Sequence, residues 1–259
     1  MRVFIIGVGR MGSWFAKVLS MEHEVAVYDR DLEKADMLKD KDVEAIRDLS
    51  QLDSFAPEIV INAVSLKDTI PAFKEVRPYL GETTIISDIA SVKGELSNYY
   101  EGVPFEFVSL HPMFGPTFAD MGSLKGEGVI FIKGSNKEGV RFFEGLFKSY
   151  GLRIFESTFD EHDRMMAYSL ALPFIASMAF AASVEKETVP GITFARHLNI
   201  ARGLLSEDDQ LLTEIMFNIY ALPEIDKIAS SLQYLKHIIK EKDQEELGQF
   251  FKRLRKNIE

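Results

Sequence analysis

The chain has 259 residues, 46% of them hydrophobic and 27% charged, enough for one large folded domain or two ordinary ones. A net charge of −10 argues against nucleic acid or an anionic membrane as the main partner. The absence of cysteine excludes disulfides, thiolate metal sites and cysteine nucleophiles; a reducing compartment is compatible with it, and a cytoplasmic location is the expectation.

The opening stretch, MRVFIIGVGRMG, reads as a strand running into a glycine turn; a secretory leader would need a longer apolar region and other flanks. β-rich runs follow at 3–6, 24–28, 59–64, 84–87, 105–110, 129–133 and 153–156, with helical patterns at 11–20, 31–40, 67–79, 93–100 and 137–149. That alternation predicts an α/β fold on a parallel sheet. Uninterrupted apolar runs such as EIVINAV fit strands buried on both faces. After Thr158 strand signals stop, and the rest is helical in pattern, with breaks near Pro190-Gly191 and Pro223. The expected division is a dinucleotide-binding Rossmann domain over 1–157 and an all-helical domain over 158–259. The run 167–182 is apolar nearly all round, holds Pro173, and is shorter than a membrane span needs. It is expected to be a buried helix covered by other helices or by a second copy, hence a homodimer.

Gly7, Gly9 and Gly12 have G-x-G-x-x-G spacing, with Val8, Arg10 and Met11 between them. The spacing alone is a weak signal. Here it follows a strand and opens a helix, the context of a dinucleotide site whose pyrophosphate rests on the helix N-terminus. EVAVYD then ends the second strand at Asp29, at the distance expected for a carboxylate that bonds a ribose hydroxyl. Asp29 would repel a 2′-phosphate, so NAD is expected over NADP, although Arg30 beside it works the other way. Ser65 and Asp88, at two further strand ends, are candidate cofactor contacts or plain helix caps.

SLHPMFGP, residues 109–116, ends a later strand of the same sheet and places His111 at its carboxyl edge. The bland alternative is a hydrogen-bonded core histidine in a rigid turn. An alcohol that gives up hydride must also lose its hydroxyl proton, and a neutral imidazole accepts one near pH 7.

GVGRMG, DIASVKGEL, SLHPMFGP and EHDRMMAY stand in the order and at about the spacing found in prephenate dehydrogenases, and nearly the whole chain resembles that family. The resemblance implies NAD-linked oxidative decarboxylation of prephenate to 4-hydroxyphenylpyruvate in tyrosine biosynthesis. It implies His111 as the group that takes the substrate's hydroxyl proton, and Ser91 beside it as an orienting group. It also implies an arginine of the helical domain for the dicarboxylate: Arg202 or Arg196, Arg202 being favoured, with His197 and Lys93 as lesser candidates. The chain departs from the pattern at ALPF, where many members present a histidine and this one has Pro173 and Phe174. Arogenate, with an amino group in place of the keto group, is the alternative substrate. A β-hydroxyacid dehydrogenase would need a catalytic lysine where 159–205 offers only Lys186, and a non-catalytic nucleotide sensor would not need His111. Glu161, His162 and Asp163 are consecutive and radiate from a helix start, so no metal site is expected, and the acidic residues read as dipole complements. The charged C-terminal helix reads as a solvated face or as the junction to a further domain, since related enzymes are sometimes fused to chorismate mutase. With no regulatory domain visible after the helices, tyrosine feedback, if any, would act at the active site.

Overall fold

The computed structural model describes residues 1–38, 42–115, 124–185 and 191–259. Pro116, Lys186 and Pro190 lie outside them. Eight strands form one sheet: β1 (Arg2–Ile6), β2 (Glu24–Tyr28), β3 (Val43–Ala45), β4 (Ile59–Asn62), β5 (Ile85–Asp88), β6 (Phe107–Pro112), β7 (Gly128–Ile132) and β8 (Arg153–Ser157). Their order is β3-β2-β1-β4-β5-β6-β7-β8. The six from β3 to β6 are parallel. β7 then runs antiparallel to β6 and β8 parallel to β7, so the expectation of an all-parallel sheet is corrected at that edge. An apolar run buried on both faces reads the same in either direction. β3 was missed because three residues, VEA, carry no strand pattern.

Around the sheet lie α1 (Arg10–Leu19), α2 (Leu32–Met37), α3 (Leu52–Phe55), α4 (Leu66–Val76), α5 (Leu96–Glu101) and α6 (Lys137–Ser149). The strand period of two decides what each face buries. Val3 and Ile5 of β1 enter one core with Phe15, Phe143 and Phe147, whereas Phe4 and Ile6 enter the opposite core with Phe73 and Leu96. Each fully buried phenylalanine contributes on the order of 1.5–3 kcal/mol.

The helical half begins with α7 (Phe159–Met166) and continues through a π turn (Ala167–Ala171) into α8 (Leu172–Ala182), one helical run of 24 residues. Pro173 is tolerated because it sits in the first turn after the π turn. This run is long and apolar enough to cross a membrane, longer than its sequence pattern implied, and only 22% of its most apolar window is buried within the chain. Of the two covers expected for it, the other helices of the chain therefore supply only a part. Then come α9 (Ile192–Leu204), α10 (Asp209–Met216), α11 (Ala221–Glu241), with Pro223 in its first turn, and α12 (Gln244–Ile258). Their small core gathers Ala171, Phe174, Leu212, Ile215 and Ala221.

Candidate active site

At the first turn of the sheet, Gly7 has φ +89°, a left-handed conformation that favours glycine. A Cβ at Gly12 would stand 1.9 Å from the carbonyl oxygen of Gly7, so α1 packs on β1 only with glycine there. Gly9 differs: a Cβ would meet no atom within 4 Å. The protein itself does not require that glycine, and the open space over it at the start of α1 suits an anionic group lying against the helix N-terminus. Asp29 closes the turn from the next strand. Its Oδ2 accepts the Val8 N–H at 2.8 Å and its Oδ1 the Asp31 N–H at 2.9 Å. Asp29, Arg30 and Ser65 line a cavity of about 280 Å³ beside the turn, with Arg30 paired to Asp68 at 3.6 Å and Glu75 at 3.8 Å.

A larger cavity, about 980 Å³, lies along the carboxyl ends of β1, β4, β5 and β6, next to the point where strand order reverses. Gly9, Arg10, Met11, Ser65, Ser91 and His111 are on its sheet side. Pro173, Phe174 and residues of the α9–α10 segment form the opposite wall, where Glu207 pairs with Arg10 at 3.6 Å. The glycine turn and the histidine therefore open into one space.

His111 lies inside β6, opposite Ile130 of β7, and is 4% exposed. Its Nδ1 is 3.0 Å from Nε2 of His162, a fully buried residue of α7. Nδ1 of His162 is in turn 2.9 Å from Oδ1 of Asp163. Asp163 also accepts backbone N–H groups from Lys93 at 2.8 Å and Gly94 at 2.9 Å. Burial, then His162, then Lys93, hold the His111 pKa well below the usual imidazole range, so the ring is neutral at pH 7. Burial lowers His162 as well, against the opposing pull of Asp163.

Several expected contacts lie elsewhere. Val8 lines neither cavity; it takes part through its N–H on Asp29, and its side chain is in the core. Asp88 lines neither cavity and caps no helix: it is fully buried, accepting the Tyr100 hydroxyl at 2.8 Å and the Lys93 ammonium at 2.6 Å. Lys93 is therefore corrected as a substrate group. It is also fully buried, with Nζ donating to Asp88 and to the Leu110 carbonyl, and burial lowers its pKa against the pull of Asp88. Ser65 begins α4 and donates to Asp68 at 2.7 Å. Arg196, His197 and Arg202 are exposed on α9 and do not line the cavity of their own chain; His197 bonds the Thr193 carbonyl and packs on Phe180. The reading of the acidic members of EHD as dipole complements is corrected for Asp163. Glu161 does form a capping box with Thr158, but His162 and Asp163 point inward behind His111. Adjacent acidic residues at a helix start carried no signal of that.

Fold and cavity together define a dinucleotide-binding α/β protein with a neutral imidazole beside the nucleotide turn. The profile described as "Prephenate dehydrogenase, nucleotide-binding domain" matches residues 15–155, and the chain belongs to the prephenate dehydrogenase family. The T-protein of Haemophilus influenzae is 26% identical over 189 residues, 72% of this chain and 46% of that protein. A probable arogenate/prephenate dehydrogenase of Methanocaldococcus jannaschii is 25% identical over 269 residues, 97% of this chain and 59% of that one. The chain thus spans about half the length of the curated relatives it matches. Prephenate dehydrogenase from Aquifex aeolicus, solved with hydroxyphenyl propionate and NAD+, has the same fold: TM-score 0.82 at 22% identity, covering 100% of this chain and 98% of that one.

Proposed function

We propose that the protein is an NAD-dependent prephenate dehydrogenase of tyrosine biosynthesis, acting in the cytoplasm. The observation that carries the reading is the single cavity shared by the open turn at Gly9 and the neutral ring of His111. Gly9 and the N-terminus of α1 would hold the pyrophosphate, with Asp29 at the ribose. NAD, when bound there, supplies the hydride acceptor. His111 accepts the hydroxyl proton as the ring carbon gives up hydride. Loss of CO2 leaves its bonding pair in the ring, and the proton returns to oxygen to give the phenol. The enzyme's work is to hold the geometry and to keep a proton acceptor at the hydroxyl. Ser91, which lines the same cavity, would orient substrate against the ring.

A dicarboxylate needs cations, and among the described residues the cavity's one arginine, Arg10, is already paired with Glu207. We assign the substrate's carboxylates to Arg202 or Arg196, presented by α9 of a second copy. Exposed apolar residues of the helical half, Tyr168, Ile192, Phe217, Ile219 and Leu222, offer the surface for such a homodimer.

Arogenate is the second reading. Glu127, Glu207, Asp208 and Glu214 all line the cavity, and carboxylates there suit the ammonium group that distinguishes arogenate from prephenate. NADH formation by purified protein with prephenate, beside arogenate and with NADP as control, tests both. Protein that binds NAD yet turns over neither compound refutes the dehydrogenase reading.

A further inference from the structure

We propose that His162, anchored by Asp163, is a positioning residue that fixes His111 in the Nδ1–H tautomer and so leaves its Nε2 as the proton acceptor facing the cavity. The proton assignments follow from one end of the chain of contacts. Both oxygens of Asp163 accept backbone N–H groups, Oδ1 from Lys93 and Oδ2 from Gly94, so the group acts as an acceptor. Nδ1 of His162, 2.9 Å from Oδ1, must then carry a hydrogen. A neutral imidazole has one N–H, which leaves Nε2 of His162 as a lone pair. That lone pair lies 3.0 Å from Nδ1 of His111, which therefore donates. By the same count, Nε2 of His111 is bare.

That atom is available to a ligand. Among the described residues nothing pairs with Nε2 of His111, and it is not sealed: the buried side-chain atoms lacking a partner are Nδ1 of His23 and the hydroxyls of Ser109 and Ser157. His111 lines the cavity, whereas His162 does not. The charged and titratable groups packed around the pair are Asp163 from α7, Lys93 from the segment after β5, and Asp88 from β5. When His111 takes a proton its Nδ1–H still points at the lone pair of His162, whose other nitrogen rests on a carboxylate. The imidazolium is thus stabilised without turning the ring, which suits a proton that must soon return to the phenol oxygen. Without His162, nothing holds the hydrogen on Nδ1. The ring is then free to carry it on Nε2, where it cannot act as a base, because a fixed partner on one ring nitrogen is what selects the state of the other.

The catalytic part of this inference rests on the dehydrogenase reading, whereas the tautomer does not. Long-range 15N–1H correlation on 15N-histidine-labelled protein at pH 7 resolves five rings. Signals missing in His111→Asn and His162→Gln identify the two of interest. Both are expected as Nδ1–H tautomers. His111 observed as Nε2–H overturns the proposal, whatever the substrate proves to be. In steady-state kinetics His162→Leu is expected to lower kcat on the order of a hundredfold across the pH plateau, the scale of a lost base. Its NAD affinity should stay within about threefold of wild type, a change of under 1 kcal/mol. Glutamine places an oxygen near the position of Nε2, and His162→Gln is expected to recover most of the rate. Full kcat in His162→Leu also overturns the proposal. A wild-type protein inactive on both prephenate and arogenate would remove the proposed function while the NMR result still decides the tautomer.

Discussion

Substituting Gly9 by alanine separates a nucleotide site from a tight turn that binds nothing. The backbone there is extended, φ −71° and ψ −167°, which any residue adopts, and a Cβ would meet no atom within 4 Å. Gly→Ala at such a position stabilises a fold by about 0.4–1 kcal/mol through the unfolded chain. Alanine's poorer fit to a helix N-cap offsets part of that. The melting temperature should therefore stay within roughly 3 °C of wild type for a chain of this size. The new methyl, however, occupies the space in which an anion would approach the first N–H groups of α1. One lost charge-assisted hydrogen bond costs about 1.5–3 kcal/mol, which is roughly a ten- to hundredfold rise in Kd. Calorimetric titration with NAD and NADH, run beside thermal melting, measures both quantities. Gly12→Ala is the contrast, since its Cβ would strike the Gly7 carbonyl and lower stability and affinity together. Unchanged NADH affinity in a stable Gly9→Ala protein would show that no dinucleotide passes over residue 9.

His111→Asn should bind NAD as wild type does while losing a factor of about 10²–10⁴ in kcat; an unchanged rate would remove His111 as the base. Arg202→Ala should raise the substrate KM far more than it changes NAD binding, and if Arg196→Ala does so instead, the register on α9 moves but the assignment of a helical-half arginine stands. Lys93→Met strands Asp88 in the core and should cost about 3–5 kcal/mol in urea unfolding, with the Asp88→Asn, Lys93→Met double variant recovering much of it. The rate should persist below pH 6.5, since burial holds His111 unprotonated there. Stability behaves differently: both buried histidines have folded pKa values below the unfolded one, so the unfolded state binds more protons at acid pH. Stability is then full above about pH 6.5 and declines as pH falls toward the folded values, which urea midpoints across pH 5–8 would register.

The nucleotide half was legible because its signals are local. Glycine spacing, a strand before it and an acid after it are read within thirty residues, and the structure joins them through the Asp29–Val8 bond. The direction of β7 was not legible, since a run such as GVIFI buries both faces whichever way it lies. Nor could sequence tell Asp88 from Asp29. Both end parallel strands, but a lysine five residues on draws one inward, while backbone amides of the turn hold the other at the cavity. The arginines of α9 show a different limit. Helical pattern gives their spacing but not that both lie outside the cavity of their own chain.

Residues 160–163 show how four consecutive polar side chains can have separate tasks. Asp160 pairs with Arg164 at 2.8 Å and Glu161 closes the cap with Thr158, both in solvent, as a helix start predicts. A further 100° of rotation per residue carries His162 and Asp163 to the face turned toward the sheet. There Asp163 bonds the backbone of residues 93 and 94, its own carbonyl accepts from Asn218 at 2.7 Å, and His162 reaches His111. The carboxylate that orients the histidine pair is thus the same one that fastens α7 to the segment after β5. Any displacement of α7 from the sheet removes the partner of His111 and disturbs Ser169 and Leu170, which follow α7 in the same helical run and line the cavity, so the role proposed for His111 depends on the helical half being seated.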